Sequence, residues 1–456
     1  MASWGGVILA AGKGTRMRSR TPKVLHQIAG KEILRWVMDA VQVPKPDATF
    51  IVVGPDGPDV QSPLMNGATP LVQRERLGTG HALMQARSHL QGQFDNIMVV
   101  NGDIPLISGH TLQRMMDHHL ESEAILTLLT CRVDDPGELG RIVRNSKGRV
   151  TGIVEHREAA SQHLEISEVC CGAYCFRDEW LWPELEGLPA RESGQYYLTD
   201  LVSQASRGDT IVETIEPDDP AEALGVNDRK DLARAASILY QRARDSLMAR
   251  GVTLQDPPST FIDATVEIGI DTIIFPNTTI RGSTKIGESC QIGPQATIVD
   301  GTIGSRCRIQ GSVIEESTLD DGVEVGPYCH IRPGSHLETG VHLGNYVEVK
   351  KSRLGPGTRV GHFTYLGDAT LGAKVNIGAG TITCNYDGVK KNPTIIGDGA
   401  FIGCDSMLVA PVTIGARAVT GAGAVVTHDV PDDTLVVGMP ARARKDLTDE
   451  SSTDEN

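Results

Sequence analysis

Ile268, Ile274, Ile280, Ile286, Ile292 and Ile298 follow one another at intervals of six residues without a break. Leu319, Val325, Ile331, Leu337, Leu343 and Val349 form a second such series. Leu354, Val360 and Leu366 continue it, as do Ile396, Ile402, Leu408 and Ile414. Glycine often comes next, as in Ile286-Gly287, Leu343-Gly344 and Ile402-Gly403. A single helix cannot keep a six-residue period on one face for this long, and a flat strand shows period two. A coil of short strands with tight corners can, which is the hexapeptide parallel β-helix. Each aliphatic residue then points into a prism, and glycine relieves crowding at the corners. The register breaks between Ala379 and Thr394, where the chain must leave the coil as a loop. Such a loop is either functional or a tolerated insertion.

The first half has another grammar. Val7-Ile8-Leu9-Ala10, Phe50-Ile51-Val52-Val53, Ile97-Met98-Val99-Val100 and residues 124–130 read as buried strands. Helical patterns at 33–41, 82–90 and 111–121 alternate with them. That alternation implies a mainly parallel α/β sheet, with ligands at the carboxyl ends of its strands. The expected organisation is an α/β Rossmann-like domain over 1–228, a linker helix over 229–250 and the β-helix over 251–444. An acidic tail over 445–456, expected to be disordered, follows.

With 43 Lys and Arg against 58 Asp and Glu, the net charge is −15, which argues against a nucleic-acid binder. Anionic small substrates stay open, because a few local cations can reverse the potential inside a cleft. No apolar run approaches the roughly 20 residues a membrane span needs. The nine cysteines are scattered without a CxxC pair and are read as reduced thiols, so the cytoplasm is the expected compartment.

Leu9-Ala10-Ala11-Gly12-Lys13-Gly14-Thr15-Arg16-Met17 follows the first strand, with Pro22-Lys23 shortly after. Gly12 and Gly14 let backbone amides approach a phosphate, and Arg16 and Lys23 can neutralise it. The segment is neither a Walker loop nor a dinucleotide fingerprint, since Gly14 follows Gly12-Lys13 and Met17 stands where a third glycine belongs. Asp103, in Asn101-Gly102-Asp103 at a strand end, can hold Mg²⁺ against phosphates or serve as an Asx-turn residue. On base rates alone, Gln73 and Glu155 belong at the surface.

These offsets resemble the signature of sugar-1-phosphate nucleotidyltransferases, together with Gln73, Leu77-Gly78-Thr79-Gly80-His81, Gly140-Arg141-Ile142, Val154-Glu155-His156 and Gly225-Val226-Asn227. In the β-helix half, Ile331-Arg332-Pro333-Gly334, Val347-Glu348-Val349-Lys350-Lys351, 361–368 and 376–388 extend the likeness. From about Val7 to Val430 the chain resembles the bifunctional N-acetylglucosamine-1-phosphate uridylyltransferase/glucosamine-1-phosphate N-acetyltransferase family.

That resemblance implies a left-handed β-helix, a homotrimer with acetyltransferase sites between subunits, Mg²⁺ as cofactor, and acetyl-CoA and UTP as co-substrates. It implies catalytic roles for His362 and Arg16, and metal ligation by Asp103 and Asn227. UTP and UDP-N-acetylglucosamine would be bound by Leu9, Ala10, Ala11, Gly12, Lys23, Gln73, Gly78, Thr79, Gly102, Gly140, Glu155 and Asn227. Arg332, Lys350, Tyr365 and Asn376 would hold the acetyltransferase sugar phosphate, and Ala379, Asn385, Tyr386 and Ala422 the acetyl-CoA. An amine attacking a thioester must first lose a proton, and an imidazole with a reference pKa of about 6.5 suits that duty.

The chain departs from the family's Asn-Thr-Gly at Cys170-Cys171-Gly172, which removes an amide from the sugar site. Asn101 replaces a frequent Tyr, Cys404 stands in place of a Ser, and no arginine contact is evident near Gly438-Met439-Pro440. Two rivals remain at this point: a nucleotidyltransferase whose β-helix only assembles or regulates it, and a non-catalytic scaffold. The His362 region and the Asn385-Tyr386 loop weigh against the first, and the 12–23 phosphate signature with Asp103 against the second.

Overall fold

In the computed structural model, which describes residues 2–55, 67–192, 194–207 and 210–446, the hexads stack three to a coil. Ile268 pairs with Ile286 and Ile286 with Ile303 on one face. Ile274 pairs with Ile292 on the second face, and Ile280 with Ile298 on the third. All these ladders are parallel, and their aliphatic side chains fill a single continuous core. Ile268 is only partly buried, at the end of the stack. Because each short strand buries one side chain in two and pairs above and below, one repeated hexad builds the whole solenoid.

The spacing lengthens at one place. Leu371 pairs with Ile396, and Ile377 with Ile402, because the chain leaves the coil after the strand Ile382–Cys384 and returns at Thr394–Ile396. Asp387 organises the excursion: its carboxylate accepts from the amides of Val389 and Lys390, both at 2.8 Å, and from Asn392 Nδ2 at 2.9 Å. Those bonds, the Lys390 amide foremost, hold its pKa down at about 2. At the other end, the strand Thr434–Gly438 closes against Ala441–Asp446 in an antiparallel pair. Residues 445 and 446 therefore end a strand, and the rest of the expected tail lies outside the described residues.

The first half forms its own sheet. Across it run Val212–Ile215, Leu126–Arg132, Glu168–Arg177, Asn96–Asn101, Trp4–Ala10, Ala48–Val53 and Thr69–Val72. Only Glu168–Arg177 runs antiparallel to its neighbours in this row. The first strand shows why the sequence reads as an unbroken apolar run: Val7 and Leu9 enter one core, Ile8 and Ala10 the other. A hairpin of Arg141–Arg144 and Val150–Val154 hangs from Glu168–Arg177 through the Val169–Arg141 pair.

The chain divides into two compact units, residues 1–239 and 240–456, with the division inside the helix Arg229–Ala249. Asp228 starts that helix: its Oδ1 accepts from the amides of Lys230 and Asp231, while Asp231 Oδ2 accepts from Asn227 N and Asp228 N.

Candidate active sites

In the N-terminal unit, the strand Trp4–Ala10 ends at the glycine-rich turn. Gly14 takes φ 62°, and a Cβ there would meet Lys23 Cβ at 2.6 Å, so this position demands glycine. The close approach lets Lys23, itself buried, extend its ammonium to Asp103 Oδ2 at 2.5 Å and Asn227 Oδ1 at 3.2 Å. Asp103 stands just past the end of Asn96–Asn101, where Gly102 N donates to Leu9 O at 2.9 Å. Asn227 reaches it from far along the chain because Val226 N donates to Asp103 O at 2.8 Å. Two oxygens thus converge on one cation position.

A cleft of about 650 Å³ opens beside this cluster. Its lining brings together Arg16, Thr79, Asp103, Gly140, Glu155 and Asn227. Leu9, Ala10, Ala11, Gly12, Lys23, Gln73, Gly78 and Gly102 lie outside that lining. The lining also carries Asp135, Glu138, Glu158, Asp228 and Asp231, against Arg16 and Arg234 as its only arginines. Lys23, just outside this lining, adds its ammonium beside Asp103 and Asn227.

Gln73 and Glu155 correct the surface expectation. Gln73 is 2% exposed, and its Nε2 donates to Gly78 O and meets His81 Nδ1, both at 3.0 Å. Those contacts use the amide's donors and leave its carbonyl oxygen to accept. Gly78 has φ 96°, and a Cβ there would stand 2.5 Å from Tyr196 O, so the turn into Thr79–Met84 also requires glycine. Thr79 Oγ1 accepts from Leu198 N at 2.9 Å. Burial raises the Glu155 pKa, an effect that the 2.8 Å bond donated by Thr199 Oγ1 partly offsets. Gly140 sits close by: a Cβ added there would lie 3.7 Å from both Glu155 carboxylate oxygens.

Sequence reasoning missed Thr199, whose hydroxyl orients Glu155 from 44 residues away. It also missed Arg76, which donates from Nε to Ala11 O at 2.9 Å and so braces the glycine-rich turn. No local pattern signals either one. Cys170, the departure from the family, lines the cleft with its thiol 3.2 Å from Tyr174 Oη, and burial pushes its pKa up to about 11. It offers the cleft a neutral, weakly bonding sulfur where an amide was expected.

In the C-terminal unit the long strands His342–Lys350 and Arg359–Gly367 lie side by side in parallel, with Asn345 opposite His362. Asn345 Oδ1 is 3.0 Å from His362 Nδ1. The oxygen can only accept, so Nδ1 carries the hydrogen, and in the neutral ring Nε2 is the nitrogen with the lone pair. His362 is exposed. Its edge of the prism continues through the predicted acetyl-CoA residues. The Gly380 amide donates to Phe363 O, the Asp405 amide to Ala379 O, and the Gly423 amide to Cys404 O. His362, Ala379, Cys404 and Ala422 therefore climb one edge, a coil apart, at the strand spacing of about 4.8 Å.

Tyr365 lies on the face that begins at His362, with Glu348 as its neighbour in register. Arg332 and Lys350 end successive coils of the same face, since Ile331 pairs with Val349. Arg332 Nη1 pairs with Glu348 Oε1 at 2.8 Å, and this partner raises the arginine's already high pKa. Asn385 is buried, donating to Asp368 Oδ2 at 2.6 Å and to Tyr365 Oη at 3.4 Å. It thus stands beside Tyr365. Tyr386 is exposed, its hydroxyl on Gly388 O and its ring 5.0 Å from Lys391 Nζ. Asn376 is not brought to Tyr365: it pairs with Arg359 and Phe401, on a different face.

The profile of the MobA-like NTP transferase domain matches residues 6–198, and that of the bacterial transferase hexapeptide (six repeats) matches 393–428. The bifunctional protein GlmU of Heliobacterium modesticaldum is 46% identical over 432 residues, covering 94% of each chain. Its counterpart in Trichlorobacter lovleyi is 44% identical over 449 residues, 98% of each. That of Listeria monocytogenes serotype 4a is 43% identical over 441 residues, 96% of each. With such identity sustained from end to end, the chain belongs to the GlmU family of bifunctional N-acetylglucosamine-1-phosphate uridylyltransferases and glucosamine-1-phosphate N-acetyltransferases.

Proposed function

We propose that the prism edge at His362 carries acetyl transfer to glucosamine-1-phosphate, and that the Asp103 cleft then carries uridylyl transfer to the N-acetylglucosamine-1-phosphate produced. The observation that supports the first step most is the hydrogen bond to Asn345, which leaves His362 Nε2 free to accept a proton. That nitrogen takes the proton from the amine as it attacks the thioester carbonyl, and returns it to the CoA sulfur as the C–S bond breaks, so CoA departs as the thiol. Arg332 and Lys350 grip the sugar phosphate, which requires Arg332 to exchange Glu348 for a phosphate oxygen. Tyr365, steadied by Asn385, places the sugar. Ala379 and Ala422 on the His362 edge, with Tyr386 from the loop, border the acetyl-CoA track.

Asn376 completes this site only from a second copy, because its own chain holds it on another face than Tyr365. A homotrimer with sites between subunits meets that need, and its test is a solution mass three times the 48.9 kDa chain. A solution mass of one chain alongside full acetyl transfer would discard it.

In the cleft, an oxygen of the sugar phosphate displaces pyrophosphate in line from the α-phosphorus of UTP. The chemistry asks for positioning and charge neutralisation more than for a base. Arg16 and Lys23 neutralise phosphate charge. Gln73 presents its carbonyl oxygen to the uracil N–H, and Gly78, Thr79 and the Leu9 to Gly12 turn seat the nucleotide. Gly140 and Glu155 receive the sugar.

Asp103 and Asn227 are suited to Mg²⁺, since both already direct oxygens at one cation, the Lys23 ammonium. Among the described residues no group of three or more His, Cys, Asp or Glu gathers for a metal, so the remaining ligands would be water and phosphate. When bound, the ion would offset charge on the phosphates in this acid-rich cleft. Among the described residues no helix is long and apolar enough to cross a membrane, and all nine cysteines are free thiols. Both facts agree with a cytoplasmic enzyme, where acetyl-CoA and UTP are at hand. Glucosamine-1-phosphate, acetyl-CoA, UTP and Mg²⁺ should release CoA before pyrophosphate. Pyrophosphate release from glucosamine-1-phosphate without acetyl-CoA would contradict the order.

A further inference from the structure

Two segments that frame the nucleotide cleft meet at one ion pair. Arg16, from the glycine-rich turn, places Nη1 against Glu138 Oε2, a residue 122 positions away that also lines the cleft. The side chains are 47% and 58% exposed, so the pair stands where an entering ligand can reach it. Glu138 is held there by its support. Arg141, 3% exposed, turns its guanidinium onto the carbonyls of Pro136 at 3.4 Å, Gly137 at 2.9 Å and Leu139. A buried cation usually has a carboxylate partner. Here the carbonyls of one turn take that place, and in doing so they fix the turn that bears Glu138.

The Arg16 guanidinium is the group assigned above to the triphosphate, and this inference rests on that reading. A carboxylate and a phosphate present similar oxygens to the same planar fork, so they compete for it. The geometry points to Glu138 as a stand-in anion for the nucleotide. It occupies Arg16 while the cleft is empty, keeps the guanidinium facing the phosphate position, and must be displaced when UTP enters. Glu138 therefore sets the affinity for UTP by competing for a binding residue and acts as a positioning residue.

The test is a set of UTP dissociation constants, measured with Mg²⁺ and without sugar phosphate, for the wild type, Glu138→Gln, Arg16→Ala and the double variant. Freed of an exposed ion pair, Glu138→Gln should bind UTP about two- to fivefold more tightly. That gain should disappear in the Arg16→Ala background. An unchanged constant in Glu138→Gln overturns the proposal. So does an equal gain in both backgrounds, which would mean that the carboxylate repels the nucleotide directly. Full-rate uridylyl transfer by Arg16→Ala is a separate result: it would remove the phosphate role of Arg16 itself.

Discussion

In the N-terminal unit the candidate residues arrive from the ends of several strands and frame a cleft, whereas in the C-terminal unit they stand on the outside of a prism filled with aliphatic side chains. The contrast follows from how each scaffold is built. Loops leaving the carboxyl ends of a parallel sheet diverge, and the crevice between them belongs to a single chain. A solenoid repeats one filled cross-section, so its functional groups can only line edges and faces. Within the first unit, Asp103, Asn227 and Lys23 already meet. Within the second, Tyr365 and Asn376 do not. One cluster is assembled within a single fold, and the other, on the function proposed above, is completed by association between copies.

The sharpest way to break this division is to remove one activity and watch the other. His362→Ala should lower acetyl transfer by about 10²- to 10⁴-fold, the usual worth of a positioned general base, with uridylyl transfer nearly unchanged. Parallel loss of CoA and pyrophosphate release in folded protein would contradict it. Asp103→Ala should cost uridylyl transfer roughly 100-fold or more by weakening the hold on Mg²⁺, and leave CoA release intact. An Asp103→Ala variant whose activity and Mg²⁺ concentration dependence both match the wild type would remove Asp103 from the metal.

Acid should separate the units as well. His119 is buried in the N-terminal unit at 1% exposure, 2.8 Å from Thr127 Oγ1, and burial, aided by Arg177, lowers its pKa from 6.5 to about 4. The unfolded chain then binds the extra proton between those values, so stability present above pH 6.5 is lost as pH falls towards 4. The loss amounts to about 3 kcal/mol, with no further contribution below the folded pKa. Unfolding followed against pH should therefore show the N-terminal transition falling first, and His119→Gln should flatten that fall. The smallest effect expected is that of Asn345→Ala, which frees the imidazole to turn. One lost hydrogen bond of about 1 kcal/mol corresponds to roughly a fivefold drop in acetyl-transfer kcat. An unaltered kcat would show that Asn345 does not orient the base.

The two halves also differ in how far they could be read in advance. The hexads name the inward residues of the solenoid almost one by one, because each strand's environment repeats that of the strand before it. The break at 379–394 marks the loop for the same reason. In the sheet, apolar runs locate strands but not the contacts of their ends. Gln73 reads as a surface residue because nothing near it in sequence announces the Gly78 carbonyl and His81 ring that enclose its amide. Thr199 beneath Glu155 and Glu138 against Arg16 are partners across 44 and 122 residues, which no local pattern encodes. Asn385 bonds to Asp368 and Tyr365, contacts fixed by where the loop re-enters the coil and not announced by its neighbours in sequence.

Separate sites in one polypeptide can be tested by complementation. His362→Ala and Asp103→Ala, each given glucosamine-1-phosphate, acetyl-CoA, UTP and Mg²⁺, should alone make almost no UDP-N-acetylglucosamine. Mixed, they should restore its formation, because N-acetylglucosamine-1-phosphate released by one variant is used by the other. A mixture as inactive as its components, with both proteins folded, would contradict two independent centres.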